Sequence, residues 1–192
     1  MTSAGAPSRV GDPVPHAASQ VPVVTTARLV LRGYTAGDFE SLRALWGSAE
    51  VTRYITGQPS TASESWMRLL NSAGHWALLG FGFWLVEERA SGRFVGQVGL
   101  ADLKRDIEPG FDGAPEAGWV LDPWCHGRGY ATEAVKAALA WGEANIAMSR
   151  CVCMISPDHA ASLRVAAKCG FTRFAETTFK DSPVVLLERS RS

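Results

Sequence analysis

An excess of charge of either sign is missing from this sequence: 19 Lys and Arg stand against 19 Asp and Glu, a formal net charge of zero. Nucleic acids and anionic membrane surfaces are held largely by a surplus of basic side chains, so neither is expected as a partner. A long apolar run is missing too. No stretch reaches the ~18 to 20 apolar residues of a membrane-spanning helix. The first residues hold Pro7, Pro13, Pro15 and Pro22 where a secretory signal would have its apolar segment, so a cytoplasmic location is expected. Cysteine is scarce. Cys125, Cys151, Cys153 and Cys169 do not form the two paired Cys/His clusters of a structural zinc site, so no metal is expected and the thiols read as free. Cys125 is the one expected to be accessible. Two nucleotide signatures are also absent. No Gly-Lys-Ser/Thr triplet ends a Walker-type loop. The only Gly-x-Gly that opens a helix has Thr132 where a dinucleotide fingerprint takes a third Gly or Ala.

What is present is an ordinary globular composition, 46% hydrophobic and 20% charged over 192 residues, enough for one domain with a sizeable core. Residues 1 to 22 are rich in Ala, Ser, Pro and Gly without periodicity and read as a disordered tail, with the folded domain spanning residues 23–192. A first strand is expected over residues 23–32. A helix carrying Phe39, Leu42, Leu45 and Trp46 follows, then a short helical piece over residues 51–55. Residues 62–79 have helical spacing, and residues 81–88 and 94–103 read as a hairpin turned at Ser91-Gly92. Beyond a Pro- and Gly-rich loop come a strand at 116–121, a helix at 128–145 and a strand at 150–156. A helix at 159–169 stops at Gly170, and two strands close the chain, at 171–179 and 184–188. This order implies a single α/β (α+β) domain around a mixed sheet.

The stretch His126-Gly127-Arg128-Gly129-Tyr130-Ala131-Thr132 lies between a buried strand and a helix. Glycines let consecutive N–H groups turn into one concavity, and the helix start adds unpaired donors and the positive end of its dipole. A pyrophosphate suits such a place, with Arg128 supplying a charge-assisted contact. On spacing alone a tight strand-to-helix turn accounts for the glycines equally well.

Longer blocks carry a resemblance. Asp122 to Ala134 closely resembles the acetyl-coenzyme A loop of the GNAT N-acetyltransferases. Ser156 to Phe171 is similar to the family's later helix, and Thr25 to Arg32 with Glu116 to Leu121 resemble the subgroup that includes the ribosomal-protein N-terminal alanine acetyltransferases. The likeness runs from about residue 23 to 188. It implies a mostly antiparallel mixed sheet, splayed between the strand ending at Leu121 and the strand starting at Arg150, with flanking helices. It also implies acetyl-coenzyme A as co-substrate. Pantetheine would lie along Trp119, Val120 and Leu121, with a backbone N–H near Val120 or Leu121 polarising the acetyl carbonyl. The pyrophosphate would take N–H groups from Gly127 to Thr132.

The implied reaction is direct attack of a primary amine, of a protein N-terminus or a small molecule, on the thioester. The resemblance makes Glu116 the candidate base, acting through water, and Ser162 the candidate donor to the thiolate or the cofactor. Two departures from the family pattern stand beside the cofactor: His159 where Asn is usual, and His126 where Gln, Arg or Trp is usual. The tyrosine that serves many relatives as acid has no counterpart. That leaves a non-catalytic acyl-coenzyme A-binding module as the alternative. Tyr54, Trp66, Trp76 and Trp84 read first as core and second as walls of an acceptor pocket. A homodimer is the common default for an assembly.

Overall fold

A computed structural model describes residues 21–190. The expected tail over residues 1–20 lies outside the described residues. Val21 and Pro22, read as part of that tail, belong to the folded body: Val21 packs against the main core, and the Trp84 indole N–H donates to the Pro22 carbonyl at 2.8 Å.

The strands are β1 (Val24–Thr25), β2 (Leu29–Arg32), β3 (Phe83–Glu88), β4 (Phe94–Ala101), β5 (Glu116–Leu121), β6 (Arg150–Ile155), β7 (Thr172–Phe179) and β8 (Ser182–Ser190). They form one sheet in the order β1-β2-β3-β4-β5-β6-β8-β7. Every neighbouring pair is antiparallel except β5 and β6. The helices are α1 (Phe39–Trp46), α2 (Ala49–Thr52), α3 (Ala62–Leu79), α4 (Tyr130–Asn145) and α5 (Ala160–Lys168). The expected α/β class and mixed, mostly antiparallel sheet are therefore present.

Two elements differ from expectation: the short helix expected over residues 51–55 is α2 at Ala49–Thr52, and the first strand departs further. The single strand expected over residues 23–32 is a tight hairpin, because Thr26 folds the chain back. Its N–H donates to the Leu29 carbonyl at 2.9 Å, and its hydroxyl oxygen accepts from the Leu29 N–H at 2.9 Å. A Thr side chain that bonds the backbone locally competes with a continuous ladder in this way.

The alternation of β3, β4 and β5 sorts their side chains between two layers. Trp84, Val86, Val98, Leu100, Ala117 and Leu121 share one core cluster with Ala134, Val135, Ala138 and Leu139 of α4. Val120 packs instead with Leu42, Leu45 and Trp46 of α1 and Leu69 of α3. Trp76, Trp84 and Trp141 meet edge to face, centroids 4.7 to 5.2 Å apart, tying α3, β3 and α4 together. A capping box starts α3: Thr61 Oγ1 accepts from the Glu64 N–H, and the Glu64 carboxylate accepts from the Thr61 N–H.

Candidate active site

The sheet parts at one seam. β5 and β6 share a single register pair, Glu116 with Val152, beside the Val152 N–H donating to the Pro115 carbonyl at 3.0 Å. From there towards Leu121 and Ile155 the two strands have no further paired residues. Strand geometry decides which groups face that gap. The Asp122 N–H donates to Val95 O on β4, so residues of the same parity, such as Val120, point their backbone at β4. Trp119 and Leu121 point theirs into the gap. Of the two residues expected to supply the carbonyl-polarising N–H, this alternation favours Leu121 over Val120.

A cleft of about 600 Å³ lies at the seam. Eleven of the twelve residues expected to bind cofactor line it: Trp119, Val120, Leu121, His126, Gly127, Gly129, Tyr130, Ala131, Thr132, His159 and Ser162. Arg128 does not. Its guanidinium lies over the Trp124 ring at 5.2 Å, and its carbonyl accepts from Arg28.

The glycines do what the loop requires. Gly127 has φ 73° and Gly129 φ 79°, conformations that L side chains rarely adopt. The first N–H of α4 to meet a helix-start carbonyl is that of Glu133, which donates to Gly129 O at 3.1 Å. The N–H groups of Tyr130, Ala131 and Thr132 precede it and are the open donors of the helix start. The His126 imidazole returns from the loop, its Nε2–H donating to the gap-facing Leu121 carbonyl at 3.1 Å.

The opposite wall is α5. His159 is its N-cap, and Nδ1 accepts from the Ser162 N–H at 3.2 Å, the acceptor duty an Asn side chain performs at such a position. The proton then sits on Nε2, which donates to Ser162 Oγ at 3.3 Å. Ser162 Oγ thereby accepts from His159 and keeps its own proton for another acceptor. Burial pushes the His159 imidazole below its ordinary range, and His126 nearby adds to the effect.

The sign of that shift is testable. A histidine whose folded pKa is lowered contributes stability that is present above its unfolded value, ~6.5, and is lost as pH falls towards the folded one. Acid is therefore expected to destabilise this protein across that window, and His159→Asn to flatten the slope. Denaturation midpoints that fall equally in both proteins would place the titration elsewhere.

Glu116 stands apart from the cleft residues. Its carboxylate is buried and engaged at both oxygens by Arg105, through Nε at 2.5 Å and Nη2 at 2.8 Å. It lines a separate hollow of about 160 Å³ with Asp102, Phe111 and Ala114. The structure thus brings Ser162 and His159 together in the cleft and leaves Glu116 at the closed end of the seam. Among the four aromatics, Trp76 and Trp84 are core, and Trp66 packs edge-on against Phe39. Tyr54 alone lines the cleft, its ring 4.7 Å from that of His159. Glu50, Val51 and Ile55 beside it, and Arg164, Val165 and Lys168 on α5, are cleft residues that sequence reasoning missed. For α5 a signal existed: residues 161, 164, 165 and 168 fall on one helical face.

The four cysteines are free and buried. This corrects the expectation for Cys125: burial pushes its thiol up to about 11, and its Sγ lies 2.9 Å from the Asp122 carbonyl. Among the described residues, no group of three or more His, Cys, Asp or Glu side chains is arranged to hold a metal ion, and no helix is long and apolar enough to cross a membrane.

A mixed sheet parted at one seam, with a glycine-lined helix start at the mouth of the gap, is the frame of an acyl-coenzyme A-dependent acyltransferase. A family model described as an acetyltransferase (GNAT) domain matches residues 28–172, and the chain belongs to that family. The uncharacterized N-acetyltransferase YoaA of Bacillus subtilis (strain 168) is 28% identical over 157 residues, which cover 79% of this chain and 84% of YoaA. A solved structure assigned to the GnaT family of acetyltransferases, from Bordetella pertussis, is 31% identical with a TM-score of 0.78, covering 88% of this chain and 99% of that one. The fold is also shared with RimL, a ribosomal alpha-N-protein acetyltransferase solved in complex with coenzyme A. That pair is 17% identical with a TM-score of 0.72, over 88% of this chain and 98% of RimL. GNAT enzymes use acetyl-coenzyme A.

Proposed function

We propose that this protein transfers the acetyl group of acetyl-coenzyme A to a primary amine, a protein N-terminus or a small molecule, by direct attack of the neutral amine on the thioester. The observation that carries the reading is the junction of the seam with the glycine-lined helix start. One cleft offers gap-facing backbone groups at Trp119 and Leu121 and open N–H donors from Gly127 to Thr132.

In this reading pantetheine lies along β5 as an added strand and the pyrophosphate meets the helix start. The Leu121 N–H stabilises the oxyanion that forms as the amine adds to the carbonyl carbon. The C–S bond then breaks, and the leaving thiolate takes the Ser162 hydroxyl proton, which His159 leaves free by donating to the same oxygen, as cleft water reprotonates Ser162 Oγ and the proton shed by the amine returns to water in exchange. Glu116 accepts the amine's proton through water, with Arg105 holding the carboxylate in place. Glu50, on the α2 wall of the cleft, suits a cationic amine.

The test is release of free coenzyme A from acetyl-coenzyme A over a panel of peptides with free N-termini, polyamines and amino sugars. Amine-dependent release above the slow hydrolysis background is expected for at least one class. The second reading, a non-catalytic acyl-coenzyme A-binding module, draws on Glu116 being tied to Arg105 outside the cleft. Tight binding of acetyl-coenzyme A without turnover on any amine would favour it.

A further inference from the structure

Two of the sequence blocks carrying the resemblance meet at the back of the phosphate loop, and nothing in the proposed reaction uses the contact. The tip of the β1–β2 hairpin is joined to the first turn of α4 through one carboxylate, that of Glu133. It accepts from Thr26 Oγ1 at 2.7 Å, the Arg28 N–H at 2.9 Å and Arg28 Nε at 2.7 Å, and is ion-paired with Arg28 Nη2 at 2.6 Å. Fixed there, Arg28 sends Nη1 to the Arg128 carbonyl, 2.8 Å away. Its guanidinium also lies 4.6 Å from the centre of the Tyr130 ring, and the Tyr130 hydroxyl donates to Glu88 at 2.5 Å.

The Arg128 carbonyl belongs to the peptide that ends at the Gly129 N–H. A trans peptide is planar and its C=O and N–H point in opposite directions. Anchoring the carbonyl to Arg28 therefore aims the Gly129 N–H the other way. Gly127 and Gly129 line the cleft, whereas Arg28 and Arg128 do not, which is the arrangement expected if the cleft lies on that other side. Gly127 and Gly129 have no side chains to hold them by packing, and the Cβ position of Gly129, which sits at φ 79°, lies 3.5 Å from Arg28 Nη2. The brace from behind does that work. Burial pushes the Glu133 carboxyl up, but the bonds from Thr26 and Arg28 outweigh it and hold the group below its ordinary value, ionised at neutral pH.

We propose that Arg28 and Glu133 are positioning residues for coenzyme A, holding the Arg128–Gly129 peptide so that the Gly129 N–H faces the pyrophosphate. The proposal rests on residues 126–132 being the pyrophosphate loop. It makes the loop's affinity depend on a hairpin about a hundred residues earlier in the chain.

The experiment compares two acyl donors and one free ligand. Wild type, Arg28→Ala, Arg28→Lys and Glu133→Gln are assayed with acetyl-coenzyme A and with acetyl-pantetheine, which lacks the pyrophosphate, and coenzyme A affinity is measured by calorimetry. Arg28→Ala is expected to raise the KM and Kd for the coenzyme A compounds roughly tenfold, the worth of one charge-assisted hydrogen bond, with kcat little changed. Acetyl-pantetheine kinetics should not move, which also shows that the variant is folded. Glu133→Gln keeps acceptors for Thr26 and the Arg28 N–H and should give the same pattern more weakly. Arg28→Lys keeps the charge but not the fork and should lose nearly as much as the Ala variant.

Full affinity in Arg28→Lys would make bulk charge the cause and overturn the proposal. So would equal losses on both donors, or no loss on either. A wild-type chain that does not bind coenzyme A at all would overturn the reading of the loop itself, and the proposal with it.

Discussion

Glu116→Gln is expected to lower kcat by roughly two orders of magnitude, the usual worth of a general base, while leaving the KM for acetyl-coenzyme A little changed. In the proposed binding mode the cofactor meets the far end of β5, so a change at Glu116 leaves its binding groups in place. The structure supplies the necessary control. Because Glu116 is also the anchor of Arg105, loss of the carboxylate frees a half-buried guanidinium and loosens the segment between Asp102 and Pro115. Arg105→Met removes the ion pair but keeps the carboxylate. It should lose stability while retaining far more of kcat than Glu116→Gln does. If the two variants lose activity alike, the pair is structural and the amine sheds its proton to another group. A Glu116→Gln enzyme with wild-type kcat would remove Glu116 from the reaction entirely.

The largest effect on stability is expected at Gly96, on β4 opposite Leu121 of β5. Its φ is 148°, and a Cβ there would lie 2.2 Å from the Val120 carbonyl oxygen and 2.7 Å from the Leu121 Cα. Both obstacles are backbone, so neither can rotate away. Gly96→Ala is expected to cost about 3 kcal/mol or more, from backbone strain and a displaced strand together, lowering Tm by roughly 10 °C. Gly92, at φ 69° with nothing within 4 Å of its Cβ position, is the matched control. There Ala should cost only about 1 kcal/mol, the conformational strain alone. Thermal melts of the two variants that coincide would show that close approach at Gly96 is unimportant. The consequence reaches the site, since the strand pushed aside carries the Leu121 N–H.

Much of this arrangement is legible in the sequence because it is local. β5 runs from Glu116 to Leu121 as its apolar pattern indicates, and Gly170 follows the end of α5 at φ 83°. The turn at Gly127 and Gly129, both at positive φ, is legible because glycine answers a backbone requirement that no distant contact alters. What escaped reading depends on partners far along the chain or on side chains that bend the local pattern. The Thr26 turn interrupts an otherwise strand-like run, since its hydroxyl competes with the ladder. Glu116 meets Arg105 across a Pro- and Gly-rich loop whose path no periodicity reveals. Cys125 is buried because the 3-10 turn Pro123–Cys125 folds it back towards the Val95 carbonyl. The α2 wall, with Glu50 and Tyr54, reaches the cleft by tertiary placement alone.

The single paired position between β5 and β6 has one more consequence. On one side of it lie β1 to β5 and on the other β6 to β8, two contiguous stretches of chain joined through α4. A ligand bound along the free edge of β5 supplies part of the missing ladder. In the proposed binding mode acetyl-coenzyme A would be a structural member of the sheet as well as a substrate. By linkage, whatever it gains by binding is added to the cohesion of the two halves. In that binding mode, departure of coenzyme A after turnover returns the edge of β5 to its unpaired state, and the cohesion it lent the two halves leaves with it.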